Sequence, residues 1–291
     1  MMNRILWALV LVSGASFAGA PAAEELQRDV IYGKAGDVEL KLDLAVPREG
    51  EGPFPLLVFI HGGGWQMGNK ASHDGAVVNW SKKGYVAATV AYRFAPKHPF
   101  PAQVEDVKCA IRFLRSKAKE LKIDPERVAA IGYSAGGHLS LMLGLMDPTD
   151  GLEGSGGNSG VSSKVQAVVN YFGPADFTVR NPIENPVGKK LVTDFVGTTD
   201  LNSPVFKQAS PITYINKGDP PVITFHGTAD PLVPASQSKT LHAMLKEKGV
   251  TEHLELIENA GHGFGGEANQ RTVRMMEEFL KQHLSPKTVQ K

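Results

Sequence analysis

Among 291 residues there is one cysteine, Cys109. A lone thiol excludes an intramolecular disulfide, so stability must come from the core, and a chain of this length can bury a large one. Val104, Val107 and Ile111 recur around Cys109 at helical spacing, which marks it as a small buried side chain rather than a nucleophile. An excess of one charge is also missing: 31 Lys and Arg stand against 30 Asp and Glu. Without a basic surplus to neutralise phosphates, nothing points to a nucleic-acid partner. No internal repeat is present, which removes solenoids and propellers. No apolar run is long enough for an ordinary membrane span. The short run at residues 5–12 follows Arg4 and precedes the small residues Ala18, Ala20 and Ala23. That is the layout of a secretory signal peptide over residues 1–23, with cleavage after Ala18, Ala20 or Ala23. The expectation is a secreted or periplasmic bacterial protein without stable membrane insertion. Oligomeric state is not legible.

What is present is a regular rhythm. Residues 29–32 and 38–45 read as strands. The second alternates Val38, Leu40, Leu42 and Leu44 with Glu39, Lys41 and Asp43, so one face is wet. Residues 56–60 are apolar throughout, as expected of a strand covered on both faces. From there helices (74–83, 101–121, 135–146, 235–248 and about 268–283) alternate with strands (85–91, 127–132, 165–171, 222–226 and 254–258). Alternation of this kind predicts an α/β fold with a doubly wound, mostly parallel central sheet. One domain is expected over residues 24–291. Two segments break the rhythm. Residues 150–163 are rich in Gly and Ser and read as a mobile loop. Residues 176–218 form a long insertion with little strand signal, the usual place of a lid or binding loop.

Three motifs carry chemistry. Gly132-Tyr133-Ser134-Ala135-Gly136 follows an apolar strand and opens a helix, the strand–turn–helix context that gives G-x-S-x-G its meaning. The turn holds Ser134 at the carboxyl edge of the sheet, where open α/β sheets bind ligands. A serine hydroxyl needs a base. Of nine histidines, His262 is the candidate, because Gly261 and Gly263 flank it in the loop after the strand at 254–258. The base needs a carboxylate to orient it. Asp230, just past the strand at 222–226, lies at the same edge. Asp219 precedes that strand and so falls at the wrong end, and Glu258 is the other runner-up. The order Ser134, Asp230, His262 is that of α/β-hydrolases. Finally, Gly62, Gly63 and Gly64 stand directly behind the buried strand 56–60. Backbone without side chains can bring N–H donors to a developing oxyanion, with the Ala135 N–H as a further donor.

These motifs together resemble the α/β-hydrolase superfamily. Within it the chain is similar to esterases related to hormone-sensitive lipase and to small bacterial feruloyl- and acetyl-esterase-like enzymes. His61-Gly62-Gly63-Gly64-Trp65, Ala91-Tyr92-Arg93-Phe94-Ala95-Pro96, His226-Gly227-Thr228-Ala229-Asp230 and Gly261-His262-Gly263-Phe264 carry the likeness beside the serine motif. The resemblance implies Gly63, Gly64 and Ala135 as oxyanion donors, Tyr92 and Arg93 as structural supports, and Trp65 packed under the oxyanion loop. It implies a serine carboxylesterase acting through an acyl-enzyme, with no metal or cofactor, on a small-molecule or polysaccharide-linked ester of short-chain, acetyl or feruloyl type. Larger members place cap helices before the glycine motif; here the residues before His61 read as strands, so the insertion at 176–218 is the main source of any lid. Two other readings share the fold: an amidase or peptidase for small substrates, and a ligand-binding homologue without catalysis. Such binding homologues usually lose a catalytic residue, whereas all three are kept here.

Overall fold

The computed structural model describes residues 26–179 and 186–285; the leader expected at residues 1–23 lies outside them. Eight strands form one sheet: β1 (Gln27–Ala35), β2 (Val38–Ala45), β3 (Phe54–Ile60), β4 (Val86–Val90), β5 (Ile123–Tyr133), β6 (Ala167–Tyr171), β7 (Val222–Gly227) and β8 (Glu252–Ile257). Their order across the sheet is β1-β2-β4-β3-β5-β6-β7-β8. The first two run antiparallel to their neighbours and the rest are parallel. The helices are α1 (Asp74–Ser81), α2 (Ala102–Ser116), α3 (Ala135–Leu145), α4 (Pro186–Val196), α5 (Val205–Gln208), α6 (Ser236–Glu247) and α7 (Gly266–Leu284). No helix among the described residues is long and apolar enough to cross a membrane.

The unbroken apolar run of β3 follows from this layering. Successive side chains of a strand point to opposite faces. Leu56, Val58 and Ile60 enter one core, with residues of α2, α3 and α6. Leu57 and Phe59 enter the other, with residues of α1 and α7. A strand buried on both faces has no wet side and shows no alternation. The parallel register then aligns the strand ends: Ile60 pairs with Gly132, Tyr133 with Tyr171, and Tyr171 with Phe225. The residues that follow β3, β5, β7 and β8 therefore emerge along one edge.

Two segments differ from the sequence expectation. The helix foreseen to residue 121 ends at Ser116, because the chain must turn back to place Ile123 beside Phe54 at the start of β5. The Gly- and Ser-rich stretch 150–163 is tied down rather than loose. Lys108, only 2% exposed on its side chain, donates to Gly151 O at 2.9 Å and pairs with Glu153 at 3.0 Å. Arg112 pairs with the same carboxylate at 2.7 Å and donates to Gly157 O. Burying two cations is tolerable only with such partners.

Candidate active site

Ser134 sits between β5 and α3 with φ 54° and ψ −118°, a strained conformation for a side-chain-bearing residue. The strain is held by the surroundings. Its N–H donates to Tyr171 O at 2.8 Å, which ties the turn to the end of β6. His262 and Asp230 reach the same point from two linked loops. The Ala229 N–H donates to Ala260 O, and the Asn259 N–H donates to Thr228 Oγ1, so the two loops are joined. The structure thereby brings together the three residues singled out in the sequence. His262 Nε2 lies 2.8 Å from Ser134 Oγ, and His262 Nδ1 lies 2.7 Å from Asp230 Oδ2.

The tautomer follows from the partners. An ionised carboxylate only accepts, so Nδ1 carries the proton and the Nε2 lone pair faces the serine hydroxyl. Asp230 must then be ionised. Burial alone would raise its pKa. The N–H groups of His226, His262 and Val233 outweigh burial and hold it well below the usual carboxylate range. The Phe172 ring, 4.7 Å from the His262 ring, walls the imidazole on another side.

The glycine loop lies against the serine turn. A Cβ placed on Gly62 would stand 2.8 Å from Tyr133 O and 3.3 Å from Ser134 Cβ. Gly63 and Gly64 have φ of 112° and 58°, where a side chain is disfavoured. Among the described residues no acceptor pairs with the N–H of Gly63 or Gly64. Ala135 is the first residue of α3, and the Ser134 side chain does not cap that helix end, so its N–H is also left over. The helix N-terminus adds partial positive charge at the same place.

The supports are laid in from behind. Tyr92 Oη donates to His61 O at 3.0 Å. Arg93 grips the Asp106 carboxylate with Nε and Nη2 and so anchors the segment after β4 to α2. Trp65 is buried under the loop and donates its indole N–H to His138 Nδ1 at 3.2 Å. His138 is kept neutral, since burial pushes its pKa down to about 4. Its Nε2–H donates to Ala209 O at 2.7 Å, which links the serine helix to the insertion.

Sequence reasoning missed the contribution of α4. Leu191 lies against Gly64, with Cδ2 2.7 Å from where a Cβ would stand. Gln66 donates to Asp194 at 3.3 Å, and Phe195 stacks on Trp65 at 4.3 Å between ring centroids. The helix has an apolar stripe, the only signal the sequence offered, and a stripe does not name the surface it covers. Phe195 is fully buried. Phe195→Ala should destabilise the protein by about 3–5 kcal/mol in urea unfolding, with a fall in activity as Trp65 loses its backing.

The two runner-up carboxylates are elsewhere. Glu258 is exposed. Asp219 lies before β7, at the opposite edge of the sheet, where its Oδ2 accepts the Asn216 N–H at 2.9 Å and Oδ1 has no partner among the described residues. Burial pushes its pKa up to about 6, with Asp147 and Asp150 adding to the rise and Lys164 opposing it. The native state therefore holds a proton that the unfolded chain releases between the ordinary carboxylate range and about pH 6. Stability falls as pH rises through that window, and above it the buried charge is carried in full. Asp219→Asn should stabilise by about 1–2 kcal/mol at pH 8 and by little at pH 4.5, measured by thermal unfolding at both values.

A serine on a strand–turn–helix elbow, its histidine and aspartate on the next loops of one parallel sheet, and a glycine loop facing them define the α/β-hydrolase class in its esterase branch. Within that class the chain belongs to the BD-FAE family, whose model matches residues 42–245. It is 33% identical to esterase LipC of Mycobacterium tuberculosis over 244 residues, 79% of this chain and 59% of that protein. The chain thus spans about three fifths of the length of the curated relatives it matches. Among solved structures it resembles a truncated form of a carbohydrate esterase from gut microbiota, with TM-score 0.79 and 27% identity, covering 91% of this chain and 99% of that one. It also resembles esterase 2 of Thermogutta terrifontis phosphonylated by sarin, with TM-score 0.79 and 30% identity, covering 92% of this chain and 99% of that one.

Proposed function

We propose that this chain is a serine carboxylesterase in which Ser134 is the nucleophile, His262 the general base and acid, and Asp230 the orienting carboxylate. The observation that carries the reading is the hydrogen-bonded series Ser134–His262–Asp230, at 2.8 and 2.7 Å, beside a glycine loop whose Gly63 and Gly64 N–H groups have no acceptor among the described residues. Ser134 Oγ attacks the ester carbonyl carbon while its proton passes to His262 Nε2. Negative charge gathers on the carbonyl oxygen, where the N–H groups of Gly63, Gly64 and Ala135 receive it. The imidazolium is stabilised by the buried Asp230 and then protonates the departing alcohol. A water activated by the same imidazole cleaves the acyl-enzyme. Sarin phosphonylates the Thermogutta esterase, a reaction typical of an activated hydroxyl, and this supports a nucleophilic serine here.

The substrates proposed are short-chain, acetyl- or feruloyl-type esters, free or carried on polysaccharide. Leu191 and Met67 border the glycine loop and suit an uncharged acyl group. The carbohydrate esterase from gut microbiota lends weight to sugar-linked esters. The leader-like residues 1–23 favour an exported enzyme that meets external esters. The test is a rate series on p-nitrophenyl esters from acetyl to dodecanoyl, with methyl ferulate and acetylated xylan alongside. Turnover that disappears in Ser134→Ala supports the reading, and the preferred ester narrows the substrate. A folded wild-type protein inactive on all of them would overturn it.

A further inference from the structure

We propose that His226, a second and fully buried histidine, is a positioning residue that fixes the Asp230 carboxylate on His262. The inference rests on the triad assignment above and extends it to the side chain behind Asp230. His226 is the penultimate residue of β7 and has no exposed surface. Its Nε2 lies 2.8 Å from Val233 O and 3.4 Å from Asp230 Oδ2. Its Nδ1 lies 2.6 Å from Ser238 Oγ on α6.

The chemistry of these partners fixes the imidazole. A carbonyl and a carboxylate oxygen only accept, so Nε2 must carry the proton. Nδ1 then offers a lone pair and must receive the Ser238 hydroxyl proton. Ser238 is itself fully buried, and its hydroxyl, which can donate or accept, adapts to the tautomer that the two acceptors on Nε2 select. With the proton on Nδ1, the Nε2 lone pair would face two oxygens and repel both.

That tautomer holds Asp230 by two routes. The shorter bond grips the carbonyl of Val233, whose own N–H donates to Asp230 Oδ1 at 2.9 Å. The Leu232 N–H donates to the same oxygen at 2.8 Å. The second, longer branch of the Nε2–H reaches Oδ2, the oxygen that His262 also binds. One imidazole thus locks the turn that aims the carboxylate and also touches the catalytic oxygen. A swing of the carboxylate by about 1 Å would misalign His262, and misplacement of that size costs on the order of 10²-fold in rate.

The experiment compares His226→Leu, His226→Gln and Ser238→Ala with wild type. It uses p-nitrophenyl acetate kinetics and the low-field proton resonance of the His262 Nδ1–H on Asp230. His226→Leu should lower kcat by ~10²-fold at nearly constant KM and shift or erase the resonance. His226→Gln places an amide N–H near the position of Nε2 and should recover most of both. Ser238→Ala, which keeps the ring but leaves its buried Nδ1 without the hydroxyl that anchors it to α6, should lower kcat by ~10-fold. Unchanged kcat and an unchanged resonance in folded His226→Leu would overturn the proposal. Equal losses in the Leu and Gln variants would also overturn it, because packing alone would then explain them. If His226→Leu does not fold, Ser238→Ala decides, and wild-type behaviour in that variant counts against the proposal. A wild-type protein without esterase turnover defeats the functional reading alone, since the resonance reports on the carboxylate whatever the substrate.

Discussion

Ser134→Ala should lower kcat by ~10⁵–10⁶-fold while leaving the protein folded. The substitution removes the hydroxyl that His262 Nε2 binds and leaves the base nothing to deprotonate. The backbone around it is held by other atoms: Ser134 N–H to Tyr171 O, and His138 N–H to Ser134 O, both of which alanine keeps. Melting temperature and far-ultraviolet circular dichroism should therefore match wild type. A residual rate above the uncatalysed reaction is expected, because the Gly63, Gly64 and Ala135 N–H groups still polarise a bound carbonyl. If the variant kept more than about a tenth of wild-type kcat, Ser134 would not be the nucleophile.

Gly136→Ala should have the second largest effect, on fold and activity together. A Cβ on Gly136 would stand 2.0 Å from Ile60 O and 2.6 Å from His61 O. Both obstacles are backbone, and Ile60 is hydrogen-bonded into the sheet beside Gly132, so neither can turn aside. α3 would have to back away from β3 by about 1 Å or more. Relief of such a clash typically destabilises by about 1–3 kcal/mol or more. The same retreat widens the gap between the serine turn and the glycine loop, and about 1 Å there is enough to cost on the order of 10²-fold. The check is kcat/KM with thermal unfolding. Normal stability and normal rate in this variant would contradict the close approach.

Where the chain was legible, a backbone requirement had left a mark in residue type. Gly132 and Gly136 stand where strand and helix meet too closely for a side chain, and Gly62 stands against the serine turn, so that turn and the glycine loop beside it could be located without a fold. The continuous run of β3 announced burial on both faces, and Gly261 and Gly263 marked the histidine loop. Other features left no mark, because they depend on what lies far away in the sequence. Lys108 and Arg112 look like a solvated face, yet Glu153 buries them. Phe195 is an ordinary apolar residue until Trp65 is found stacked on it. His226 was visible within His226-Gly227-Thr228-Ala229-Asp230, but its hold on Val233 depends on the turn that follows and on a serine of α6.

The insertion at 176–218 leaves the sheet after β6, the strand that lies between β5 and β7 and contributes no member of the triad. Ser134 arrives from β5 and His262 from β8, and the whole of β7 separates the end of the insertion from Asp230. The segment can therefore be lengthened, shortened or exchanged with little movement of the reacting atoms, provided that Phe195 and Leu191 keep their seats on Trp65 and Gly64 and that Ala209 O keeps the His138 N–H. On the proposed esterase reading, exchanging this segment is expected to change the preferred ester more than the rate on a small common substrate, as a rate series on grafted variants would show. Grafts that test this belong between β6 and β7.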